Sequence, residues 1–104
     1  MTLVGNTHII AGDSTAIEAV LDLLRREGID PKGNPDVYVQ SYAHFGVDDA
    51  RELRERASLG GLTERRAFII ATPVITNEAQ NALLKTLEDA PGNALFFLIV
   101  PNPS

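Results

Sequence analysis

Cysteine is absent from these 104 residues, and with it go the thiol nucleophile, the redox pair and the cysteine-built zinc site. Tryptophan is absent too. His8 and His44 are the only histidines, so imidazole catalysis and metal binding have little to draw on. No apolar run approaches the ~18 residues needed to span a bilayer, and MTLVGNTHIIAGDS lacks the basic region and long apolar stretch of a secretion signal. The expectation is a soluble cytoplasmic protein without a membrane partner. A basic surplus is also missing. Net charge is −5, and the nine lysines and arginines are interleaved with acids, so no autonomous nucleic-acid binding is expected. Arg51, Arg54, Arg56, Arg65 and Arg66 do cluster, but Glu52, Glu55 and Glu64 stand among them, which predicts a solvated helix face.

What is present is a steady alternation of short apolar runs and helical periodicity. Thr7 to Ala11, THIIA, is a strand candidate that Gly12 and Asp13 turn out of. Thr15 with Glu18 has capping-box spacing, and Ile17, Val20, Leu21 and Leu24 recur at helical intervals until Gly28. A loop of turn formers, Asp30 to Pro35, leads to a second strand at Asp36 to Ser41. Tyr42 to Gly46 reads as loop. Val47 to Ser58 then reads as a helix with Val47, Ala50, Leu53 and Ala57 inward, ended by Gly60 and Gly61. Arg66 to Ala71 and Ala94 to Val100 are continuously apolar at their centres, as strands covered on both faces must be.

Between these last two strands lies TNEAQNALLKTLEDAP, Thr76 to Pro91. Thr76 or Asn77 can cap its first turn, and Pro91 and Gly92 cannot continue it. Ala79, Leu83, Leu87 and Ala90 fall on one face, widened by Ala82 and Leu84, while Asn81, Lys85 and Glu88 line another. The order is βαβαβαβ. Crossover helices of this length predict an α/β fold, a three-layer parallel sheet of about four strands with right-handed connections, in one domain spanning 1–104.

Asn81-Ala82-Leu83-Leu84-Lys85-Thr86-Leu87-Glu88, with the turn and strand that follow, resembles the bacterial DNA polymerase III clamp-loader family, its delta-prime and gamma/tau subunits above all. Val47 to Ile70 is similar to the family's preceding helix and strand, whereas the first half matches weakly. The resemblance implies a P-loop NTPase fold of the AAA+ type, without the zinc-binding cysteines found in many such subunits. It also implies missing chemistry. Counting G-x-x-x-x-G-K-[ST] from Gly12, the last three positions hold Ile17, Glu18 and Ala19, so a carboxylate stands where a phosphate-binding lysine belongs. Ala71, Thr72, Pro73 and Val74 follow the third strand where the family places magnesium-holding acids. Val100 and Pro101 stand where it carries a polar γ-phosphate sensor. The implied role is non-catalytic, without cofactor or metal, through contacts with other clamp-loader or polymerase III subunits. Candidate contact residues are Asn77, Gln80, Asn81, Lys85 and Glu88.

The resemblance further implies that the first strand lies between the fourth and a fifth, and that a chain ending at Ser104 stops short of the fifth. His8, Ile9, Ile10 and Ala11 would then form an open edge, to be paired by the N-terminal residues, by a second copy in a homodimer, or by a partner. Two other functions fit parts of the sequence. One is a stand-alone regulatory or vestigial α/β domain without loader function. The other is a GDSL-type esterase, from Gly12-Asp13-Ser14 after a strand, although no Asp-x-x-His occurs to complete a triad. His8 and His44 as a metal pair lack a third ligand at suggestive spacing. Tyr38, Tyr42 and Phe45 could stack on bases or complete a core.

Overall fold

Six consecutive buried residues, Arg66–Ala71, make strand β4, the interior strand against which the rest is assembled. A computed structural model describes residues 3–4, 7–34, 36–58, 66–89 and 94–101. The other elements are β1 (Leu3–Val4), β2 (Thr7–Ala11), α1 (Ile17–Arg26), β3 (Val37–Ser41), α2 (Val47–Ser58), α3 (Asn77–Asp89) and β5 (Ala94–Val100). A 3₁₀ turn, Ser14–Ala16, leads into α1. The strands form one sheet in the order β1-β2-β5-β4-β3. All pairings are parallel except that of β1 with β2.

Alternation along β4 and β5 divides the interior into two cores, because successive side chains leave a strand on opposite faces. Phe68, Ile70, Ala94 and Phe96 pack on one side with Ala50, Leu53 and Ala57 of α2 and Ala79 and Leu83 of α3. On the other side Ala67, Ile69, Ala71, Phe97 and Ile99 meet Val20 and Leu24 of α1 and Ile29 beyond it. The result is three layers with α1 on one face and α2 and α3 on the other. Phe45, fully buried, ties the loop before α2 to the loop before α3 through a backbone bridge with Ile75.

Several local expectations change. Thr15 does not cap the first helix. Asp13, in extended conformation at φ −124°, caps instead the 3₁₀ turn that leads into it, its carboxylate accepting from the Thr15 amide at 2.9 Å, and Ala16 at the start of α1 supplies no side-chain cap. The chain therefore starts turning at Ser14, and the Thr15 hydroxyl points back to the same carboxylate. Leu84 does not widen the apolar stripe: it is 51% exposed, whereas Thr86 is buried. At about 100° per residue, Ala79, Ala82, Leu83, Thr86 and Leu87 share the arc facing the sheet and α2, and Leu84 falls opposite. The Thr86 hydroxyl is satisfied within the helix, donating to the Ala82 carbonyl at 3.1 Å. Of the cap alternatives for α3, Thr76 is used; its hydroxyl accepts from the Ala79 amide at 3.1 Å.

Arg66 is likewise no part of a solvated face. It is 5% exposed, and its guanidinium donates to the carbonyls of Arg56 at 3.3 Å and Ala57 at 2.9 Å. A cation thus closes the carbonyl end of α2, where the helix dipole favours it. Arg51 and Arg56 do face solvent, paired with Asp48 and Glu52. The four parallel strands expected are β2, β5, β4 and β3, and a short antiparallel strand joins them where Leu3–Val4 folds back on β2, pairing Leu3 with His8 and Val4 with Thr7. The stop signals Gly60, Gly61, Pro91 and Gly92, together with Glu64, Arg65 and Ala90, lie outside the described residues.

Candidate functional site

The carboxyl ends of the parallel strands are where an open α/β sheet offers a crevice, between loops that leave for opposite faces. Here the loop after β2 goes to the α1 side and the loop after β4 to the α3 side. Between them Gly12, Asp13, Ser14, Ser41, Thr72, Pro73 and Pro101 line a cavity of about 170 Å³. The Gly12 amide donates to the Val100 carbonyl at 2.9 Å, carrying the sheet ladder into the loop. A Cβ on Gly12 would sit 3.3 Å from the Ala16 Cβ, so loop and helix start are in close approach.

The polar groups of this crest are turned on one another. Asp13 receives the Thr15 amide and hydroxyl through its side chain, and its carbonyl accepts from Ala16 at 2.9 Å. The Thr15 hydroxyl, and after it the Thr15 amide, hold the Asp13 carboxyl below the usual aspartate range, so it is ionised at neutral pH. The next amide, of Ile17, bonds the Ser14 carbonyl. The Thr72 hydroxyl donates to the Val74 carbonyl at 2.7 Å, fixing the turn after β4. Glu18 and Ala19 are both exposed on α1. Sequence spacing did not identify Asp13, whose role follows from the turn that begins at Ser14.

Ser14 is exposed in the 3₁₀ turn, and among the described residues no imidazole bonds its hydroxyl. His8 stacks on Phe97, with ring centroids 4.8 Å apart, while His44 is exposed in the loop before α2. Among the described residues no three His, Asp or Glu side chains converge as metal ligands would. The three aromatics are engaged with protein. Tyr42 meets the buried Phe45 ring edge-on at 5.0 Å, and the Arg56 guanidinium covers Tyr38 at 4.5 Å. Burial, and then the Tyr38 hydroxyl 3.3 Å away, raise the Tyr42 phenol above its ordinary value.

Of the candidate contact residues, Asn77, Gln80, Asn81, Lys85 and Glu88 are all exposed on the outer face of α3. The structure adds Leu84 among them. On the other flank, His8, Ile9 and Ile10 are half-buried in β2 and Ala11 is exposed. β1 lies against the first of these, and among the described residues no strand lies beside Ile9 to Ala11 on that side.

Comparison with known proteins gives a consistent picture. The family model described as DNA polymerase III, delta subunit, matches residues 8–104. Over 69 residues the chain is 38% identical to DNA polymerase III subunit gamma/tau of Mycobacterium tuberculosis, covering 64% of this chain and 12% of that protein. Over 63 residues it is 42% identical to subunit delta-prime of Escherichia coli, covering 57% of this chain and 18% of the relative. The chain therefore spans less than a fifth of the length of these relatives. In three dimensions it is similar to a DNA polymerase III gamma subunit-related protein from Thermotoga maritima, with a TM-score of 0.67 at 24% identity, over 92% of this chain and 34% of that one. That likeness supports the α/β architecture.

Proposed function

Because the chain belongs to the DNA polymerase III delta subunit family, we propose that it is a non-catalytic, delta-prime-like clamp-loader module that acts in DNA replication through protein contacts. The reading is of one degenerate AAA+ unit, working in the cytoplasm beside other clamp-loader or polymerase III subunits. Among the described residues no helix is long and apolar enough to cross a membrane.

The observation that carries the non-catalytic part is Asp13. A phosphate-binding loop needs free amides and a cation aimed at the phosphate oxygens. At this crest the amides of Thr15, Ala16 and Ile17 are taken by Asp13 and Ser14, and an ionised carboxylate stands where the phosphates would approach. Like charge and occupied donors oppose an incoming triphosphate. Isothermal titration with Mg-ATP is expected to give no heat of binding, and micromolar affinity would overturn this part. The second part rests on the outer face of α3, where polar contact residues surround an exposed leucine, the arrangement of an apolar anchor with a polar rim. Capture of clamp-loader and polymerase III subunits by the immobilised chain is expected to weaken about tenfold with Leu84→Asp. Equal capture by the variant would remove α3 from the contact surface.

A further inference from the structure

The two edges of the sheet are treated differently by the chain. At one, β1 folds back over Thr7 and His8. At the other, β3 pairs with β4 alone among the described residues, and Val39, Gln40 and Ser41 are exposed. We propose that β3 is a self-association edge, pairing antiparallel with β3 of a second copy of this chain across a two-fold axis at Val39.

The ladder shows which backbone groups are available. Ala67 donates to the Asp36 carbonyl and Tyr42 donates to the Ala71 carbonyl. By the alternation of a parallel ladder, residues 36, 38, 40 and 42 are turned to β4, and Val37, Val39 and Ser41 are turned outward. The outward Val37 amide is taken by the Asn34 carbonyl at 3.1 Å. The outward set is therefore the Val37 carbonyl and both groups of Val39 and Ser41. An axis through Val39 matches this set to itself. The two Val39 residues exchange both N–H···O bonds, and each Ser41 amide reaches the other copy's Val37 carbonyl.

The side chains suit the same operation. VYVQS carries no charge, so the axis brings no like charges opposite one another, and neither lysine nor proline blocks the edge. Val39, 38% exposed, would pack on its counterpart, with Tyr38 opposite Gln40 on the other face. Arg56, stacked over Tyr38, is already paired with Glu52 at 3.3 Å. A strand of five residues makes a small contact, so the dimer is weak and concentration-dependent.

Sedimentation equilibrium of the full chain from micromolar to millimolar concentration tests this. The weight-average mass is expected to climb from the 11.2 kDa monomer toward twice that value. Val39→Lys and Val39→Pro are expected to stay monomeric with unchanged far-ultraviolet dichroism, because the Val39 amide takes no part in the β3–β4 ladder. Amide exchange on the wild-type chain supplies a readout free of any folding defect: Val39 and Ser41 should slow with concentration while Tyr38 and Gln40 do not. A wild-type chain monomeric throughout, concentration-independent exchange at Val39, or an association abolished by Ile9→Lys on the opposite edge would each overturn the proposal.

Discussion

Neighbouring leucines show how sharply one helical step divides structure from surface. Leu83 is 5% exposed between α2 and the sheet, and Leu84 is 51% exposed. Truncation of Leu83 to alanine removes buried methyl groups and leaves a cavity, a loss expected to be about 2–5 kcal/mol. Leu84→Ala should change stability by less than about 0.5 kcal/mol. Chemical denaturation of both variants checks the pair, and equal losses would mean that the register of α3 is different. Asp13 makes a second prediction at this scale. Hydrogen bonds depress its pKa in the folded chain, so its contribution is present above the unfolded value and is lost as pH falls through the lower, folded one. Melting temperatures of wild type and Asp13→Ala should therefore differ at neutral pH and converge as pH falls below about 4. A gap that persists in acid would show that the carboxylate's charge is not what holds the turn.

Among the elements, α1 is closed by a Schellman motif: the Gly28 amide bonds the Arg25 carbonyl at 3.1 Å and the Ile29 amide bonds the Leu24 carbonyl at 2.8 Å. Gly28 stands at φ +85°, and a Cβ there would have no atom within 4 Å, so substitution meets no clash and only the backbone resists it. Gly28→Ala should cost about 1–2 kcal/mol in thermal or chemical unfolding. This stop was legible in the sequence, as were all the parallel strands and helices, because apolar periodicity, caps and glycines act through neighbours in the chain. The bounds of α2 follow from Val47, Ala50, Leu53 and Ala57 in that way. The rest needed tertiary information. Leu84 left the apolar stripe expected of it because two arcs fit the same spacing, and only the position of α2 and the sheet selects between them. Arg66 looked like Arg51, Arg54 and Arg56, which are exposed, until the end of α2 gave it carbonyls to bind. The capture by Asp13 of amides in the loop after β2 was not legible either, because it depended on where the turn begins.

For the whole molecule, the strand order β1-β2-β5-β4-β3 puts a strand from near the start of the chain against one from near its end, Thr7 beside Phe96 and Ala11 beside Val100. The pairings of β3 with β4 and of β4 with β5 join segments separated by a single helix. This difference has a kinetic meaning. Closing a longer loop costs more chain entropy before any contact is gained, so β3-α2-β4-α3-β5 is expected to form the folding nucleus and β2 with α1 to dock late. Ile69→Val in β4 should then mainly slow refolding, and Ile10→Val in β2 should mainly speed unfolding, in stopped-flow measurements across a denaturant series. The reverse pattern would place the β2–β5 closure in the transition state. If β2 is last on, it is also first off: the crest loop that carries Asp13 hangs from that strand, and native-state exchange should find the Gly12 to Thr15 turn opening before the sheet's centre does.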